Sequence, residues 1–112
     1  DLDFKIEWTE SATPYTSATG PLIQAATTAI ASSQGQVPHL STIGGTCDGR
    51  FLAPTGAEVV ELGVCCHSIH QINEHAKVDD LIALGHIYTD LLDNLHQSLK
   101  IECAQARFTM AL

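Results

Sequence analysis

His67, His70, Glu74 and His75 crowd three imidazoles and a carboxylate into one short stretch, and these are groups that hold zinc. Cys65 and Cys66 stand just before them, yet nothing in the chain supplies the second half of a four-ligand structural cage. Upstream, Ser41-Thr-Ile-Gly-Gly-Thr-Cys-Asp-Gly-Arg50 puts Gly44, Gly45, Gly49 and both charge signs on one loop. Glycines free the backbone to turn sharply or to approach a ligand closely. Arg50 carries the planar fork of donors that fits a carboxylate with two hydrogen bonds. The triplet Asp48-Gly49-Arg50 is equally an ordinary turn braced by a salt-bridging arginine, and both readings stand at this level. Cys47 with Asp48 and either His67 or His70 makes, on paper, a nucleophile with its orienting acid and base. His39, His86 and His96 read as surface or helix decoration.

The elements that must position these groups come from periodicity. Leu2, Phe4, Ile6 and Trp8 alternate with Asp3, Lys5, Glu7 and Thr9, the pattern of a strand with one wet face. Residues 10–19 are rich in Ser, Thr and Pro and suit a domain boundary. Pro21 opens a helix over about 20–33, with Leu22, Ala25, Ala26, Ala29 and Ile30 on one face and Gly35 as its stop. Residues 37–43 read as a short strand entering the Gly-rich loop, Arg50 to Pro54 as the start of a helical turn, and 57–63 as a strand. Residues 64–77 read as loop. Val78 to Leu99 repeats apolar residues at helical spacing behind Asp79 and Asp80, and is the longest helix expected. Strands separated by helices predict an α/β chain, a partial mixed sheet in the order strand, helix, strand, loop, strand, long helix.

A length of 112 residues allows one domain or part of one, and 45% hydrophobic with 16% charged residues describes a globular chain. The formal charge of −8 repels phosphate backbones and anionic lipid, which argues against nucleic acid and membrane as partners. No apolar run approaches the length of a spanning helix. Cys47, Cys65, Cys66 and Cys103 form no ligand or redox spacing and read as reduced thiols in a cytoplasmic setting. The first residue is Asp1 rather than Met, inside a strand-like pattern, and this reads as a fragment.

The run Ser41 to Gly63, containing GGTCDGRF, followed by Ser68-Ile-His70 and Asn73-Glu74, resembles the C-terminal part of the bacterial succinyl-diaminopimelate desuccinylases, within the dizinc aminoacylase and carboxypeptidase-like hydrolases. Trp8 to Pro14 and the helix at 78–99 fit the same pattern. The resemblance implies a hydrolase of lysine and diaminopimelate biosynthesis that cleaves N-succinyl-LL-2,6-diaminopimelate to succinate and LL-2,6-diaminopimelate. It implies two zinc ions per subunit, replaceable by cobalt, and a cytoplasmic homodimer when full-length. The α/β catalytic domain of such a two-domain enzyme would then take in residues 15–99, with residues 1–14 ending an inserted dimerisation domain and 100–112 unassigned.

Matched position by position, His70 falls on the family's one C-terminal zinc ligand and Arg50 on the arginine that holds the succinyl carboxylate. Ser11 falls near that carboxylate, and Gly45 and Thr46 line the diaminopimelate end. Cys66 departs from the family, which commonly has Asn there as a substrate contact. No catalytic residue falls within the chain, so the fragment alone is expected to be inactive. Two other readings accompany this one: a stand-alone metal- or ligand-binding module using His67, His70 and Glu74 without catalysis, and a hydrolase built on Cys47.

Overall fold

Pro21 fixes its own φ near a helical value and lacks the N–H that a first helical turn leaves unpaired, so a helix can start there at little cost. It does so in the computed structural model, which describes residues 2–10, 13–65 and 67–106. Helix α1 spans Pro21–Gln34 and ends where Gly35, at φ 70, donates its N–H to the Ala31 carbonyl. A single turn, α2, covers Gly49–Leu52 and tightens into a 3-10 turn at Ala53–Thr55. Helix α3 spans Val78–Ala106 with Asp79 and Asp80 at its positive end. Both long helices begin within a residue of their expected starts, and α3 continues past Leu99 into the stretch that had no assignment.

The expected mixed α/β sheet is not there: among the described residues no strand forms. Residues 2–9 alternate as a strand would, yet Leu2 is 94% and Trp8 89% exposed. Alternation records which face of an extended chain is apolar, whereas a strand exists only when a neighbour supplies the opposing N–H and C=O groups. No backbone hydrogen bond joins residues 2–9, 37–43 and 57–63 to one another among the described residues. The segment 57–63 is tied by side chains instead. Ser17 Oγ donates to the Val59 carbonyl at 2.6 Å and accepts from the Val59 N–H at 3.1 Å, and the Tyr88 hydroxyl donates to the Leu62 carbonyl at 2.8 Å.

The core lies in the seam between α1 and α3, where Ala26 and Ala29 meet Ile87 and Leu91, flanked by Leu22, Ile30 and Leu62. Ala29 has no exposed surface, so the helices approach as closely as a methyl group permits. The seam is small for the chain. A compact domain of this length would have a radius of gyration of about 13 Å, against the observed 19.5 Å.

Glu58 fastens the start of α1 from a distant part of the chain. Its Oε1 accepts from the N–H groups of Gly20 at 2.8 Å and Ile23 at 3.1 Å, and Oε2 accepts from Leu22 at 2.9 Å. Pro21 has no N–H to offer, so the carboxylate takes the free donors at this end, where the helix dipole also favours negative charge. A Cβ at residue 20 would lie 2.8 Å from Glu58 Oε2, so a larger residue there would push the carboxylate aside.

Two outcomes follow for stability, both measured by urea unfolding followed by circular dichroism. Glu58→Ala should cost about 2–3 kcal/mol, because several charge-assisted bonds to a helix end are lost together. A cost no larger than that of Asp90→Ala, an exposed acid on α3, would remove Glu58 from this role. Ala29→Leu should cost about 1–3 kcal/mol by forcing the seam apart, while Ser32→Leu on the exposed side of α1 should be near neutral.

Candidate functional site

An arginine that closes a turn usually spends its donors on that turn, and Arg50 does not. Among the described residues it forms no ion pair with Asp48, and its Nε is buried without a hydrogen-bond partner. The Phe51 ring lies 4.7 Å from Arg50 Cζ and supports the guanidinium by cation–π contact. The turn-bracing reading therefore fails at Asp48. A buried guanidinium nitrogen with no partner is costly, and among the described residues no hydrogen bond or ion pair engages the other two guanidinium nitrogens, which leaves their donors for an anion.

Arg50 lines a cleft of about 1100 Å³, and Gly45, Thr46, Cys47, Tyr15 and Glu61 share its wall. Three of the residues singled out in the sequence thus meet around one space: Arg50 half-buried, with Gly45 and Thr46 exposed on the loop. Ser11 lies outside the described residues, as does Cys66.

His70 does not line this cleft. It sits exposed in a turn at φ 60, a left-handed conformation that asparagine and histidine adopt more readily than most side chains, and Asn73 follows at φ 64. Ser68 clips the loop: its buried hydroxyl accepts from the His75 N–H at 3.0 Å and donates to the His75 carbonyl at 3.1 Å. His75 Nδ1 also lies 2.8 Å from the Asn73 carbonyl. A backbone held in a sparsely used region by such contacts is common where a side chain must be presented.

His67, His70, Glu74 and His75 do not converge. Among the described residues no group of three or more His, Cys, Asp or Glu side chains could hold a metal ion. The residues present therefore do not fit a metal centre by themselves, and a two-metal centre still less. Cys47 is a free thiol whose hydrogen-bonding neighbour is Tyr15 rather than a histidine, so the base that a Cys47 nucleophile needs is not beside it.

Tyr15 is the site residue that sequence reasoning missed. Its hydroxyl lies 3.3 Å from Cys47 Sγ and 3.5 Å from Glu61 Oε1. The hydrogen bond with Cys47 is the main cause that pushes its pKa up from 10.0 to about 12, with the Glu61 carboxylate adding to the shift. The hydroxyl, protonated at neutral pH even at its ordinary value, stays protonated further into the alkaline range. No periodicity marks a tyrosine inside a Ser/Thr/Pro-rich linker, and its contacts cross more of the sequence than any local pattern spans.

Among the described residues, no helix is long and apolar enough to cross a membrane. Residues 3–94 match the model of peptidase family M20/M25/M40. The succinyl-diaminopimelate desuccinylase of Acinetobacter baylyi is 54% identical over 94 residues, which cover 84% of this chain and 25% of that protein. The desuccinylases of Thioalkalivibrio sulfidiphilus and Acinetobacter baumannii are 51% and 52% identical over the same shares. The chain spans about a quarter of the length of these relatives. With the family model covering most of its residues, the chain belongs to peptidase family M20/M25/M40.

Proposed function

We propose that the chain is one segment of a hydrolase that adds water across the amide of N-succinyl-LL-2,6-diaminopimelate, releasing succinate and LL-2,6-diaminopimelate for lysine and diaminopimelate biosynthesis. The observation that carries this reading is the buried, unpartnered Arg50 Nε in a cleft shared with Gly45 and Thr46, in a chain half identical to proteins named for that reaction. Arg50 holds the succinyl carboxylate through its remaining donors. Gly45 and Thr46 flank the diaminopimelate end, and Ser11, outside the described residues, is assigned to the carboxylate by the resemblance alone. The substrate's amide must reach a catalytic centre that these residues do not themselves compose.

His70 is proposed as a single metal ligand within such a centre, with zinc, or cobalt in its place, as the ion. Its imidazole is presented on an exposed left-handed turn, which suits a ligand whose co-ligands lie elsewhere. That the segment is the C-terminal one rests on the resemblance of its GGTCDGRF and SIH motifs alone. The division at about residue 14, between a dimerisation domain and 15–99 of the catalytic domain, has support in the hydrogen bonding. Among the described residues, the bonds that tie the N-terminal stretch to the Gly-rich loop and to residues 57–63 come from Tyr15 and Ser17. A cytoplasmic homodimer completes the proposal. A ligand-binding module without catalysis is the competing reading, favoured by the fact that this chain forms the cleft without help.

Purified chain should show no turnover of the succinylated substrate with zinc or cobalt, and measurable turnover should appear when it is co-expressed with the rest of the Acinetobacter baylyi relative, from which the matched 94 residues have been removed. Turnover by the chain alone would overturn the segment reading, and binding without turnover in the mixture would favour the module. In the active mixture, Arg50→Ala should lower kcat/KM on the succinyl substrate roughly thirtyfold or more, from loss of a pair worth about 2–5 kcal/mol. The N-acetyl analogue, which lacks the carboxylate, should be affected much less. Equal losses on both would place Arg50 outside the carboxylate site.

A further inference from the structure

Nothing bonded to Nε fixes the Arg50 side chain, and the Phe51 ring that supports the guanidinium is carried by the same turn, so the place of the guanidinium follows the backbone of that turn. That turn is closed unevenly by its own bonds. The Phe51 N–H donates to the Asp48 carbonyl at 3.0 Å, but at its start the Arg50 N–H reaches the Cys47 carbonyl only at 3.4 Å, and Asp48 makes no side-chain cap. A restraint comes from Tyr15, whose hydroxyl stands between Cys47 Sγ and Glu61 Oε1. A Cβ at residue 49 would meet that same hydroxyl at 2.6 Å, so it rests against the backbone of the residue just before Arg50. Glycine at 49 permits the approach, and Tyr15 is half-buried there.

We propose that Tyr15 is a positioning residue for Arg50: its hydroxyl, held between Cys47 and Glu61 and resting on Gly49, fixes the turn that carries the guanidinium. It thereby sets the preference of the cleft for a ligand with a terminal carboxylate over its neutral counterpart. The second half rests on the reading of Arg50 as the carboxylate holder; the first half does not. The hydroxyl stays protonated at neutral pH and can donate to either neighbour.

The test compares the full chain with Tyr15→Phe, Cys47→Ser and Ser98→Ala by NMR. Hydrogen exchange at Arg50 Nε–H should be slow in the wild type and at least tenfold faster in Tyr15→Phe. It should stay near wild type in Cys47→Ser, which keeps a hydrogen-bonding atom for the tyrosine, and in Ser98→Ala, which removes a hydroxyl bonded within α3. Unchanged exchange in Tyr15→Phe overturns the proposal, as does an equal rise in Ser98→Ala. The second arm titrates the chain with succinamate and with succinamide, which differ by one carboxylate. A wild-type preference for succinamate of tenfold or more should fall toward unity in Tyr15→Phe, and a preference retained in full overturns the proposal. If the wild type shows no preference, the carboxylate role of Arg50 fails and so does the specificity half, while exchange still decides the positioning. Should Tyr15→Phe lose the helical circular dichroism, the double variant Cys47→Ala, Glu61→Ala keeps the tyrosine, removes both hydrogen-bonding partners of its hydroxyl, and carries the same expectations.

Discussion

The Glu58 carboxylate at the start of α1 is the interaction on which the other contacts depend. It binds N–H groups on both sides of Pro21 and so joins the helix to the extended segment 57–63. The neighbouring Val59 is held in turn by Ser17, and Leu62 by Tyr88 on α3. Helices α1 and α3 meet in the apolar seam, and the extended segment 57–63 is fastened to both of them through single polar side chains. Val59 and Glu61, next along the same segment, then form part of the cleft wall that faces Arg50's loop. The geometry of the cleft is inherited from a cap.

The apolar seam is thin by comparison. Alanines on α1 allow close approach, but a methyl group brings little area, and burial contributes roughly 25 cal/mol per Å² of apolar surface removed from water. Much of α3's other apolar surface, including Leu92, Ile82 and Val78, remains exposed. Polar cross-links therefore carry a larger share of the organisation here than they would in a closed domain.

Legibility in the sequence followed the range of the interactions. Helices α1 and α3 were readable because spacing, Pro21, Gly35 and the Asp79-Asp80 pair act within a few residues of one another. The expected strands were not formed because the alternation in 2–9 and the Val59-Val60 pair carry no information about who pairs with them. Among the candidate site residues, Gly45, Thr46 and Arg50 do share one space, as one short loop would bring them together. His70 stands apart because the turn that presents it is set by Ser68 and His75, not by the Gly-rich loop. Glu58 and Tyr15 escaped notice for the opposite reason. A glutamate in a strand-like run and a tyrosine in a linker acquire their roles only through partners many residues away.

The distance between Glu58 and the helix it caps also orders events in time. Helix α1 has no side-chain cap of its own, and fourteen residues make a marginal helix in water. As the chain leaves the ribosome, the donors at Gly20, Leu22 and Ile23 must wait in solvent until residue 58 has been made and the intervening loop has closed against its entropy. The Gly-rich loop lies wholly within that interval. The two ends that flank it are drawn together only when that closure occurs.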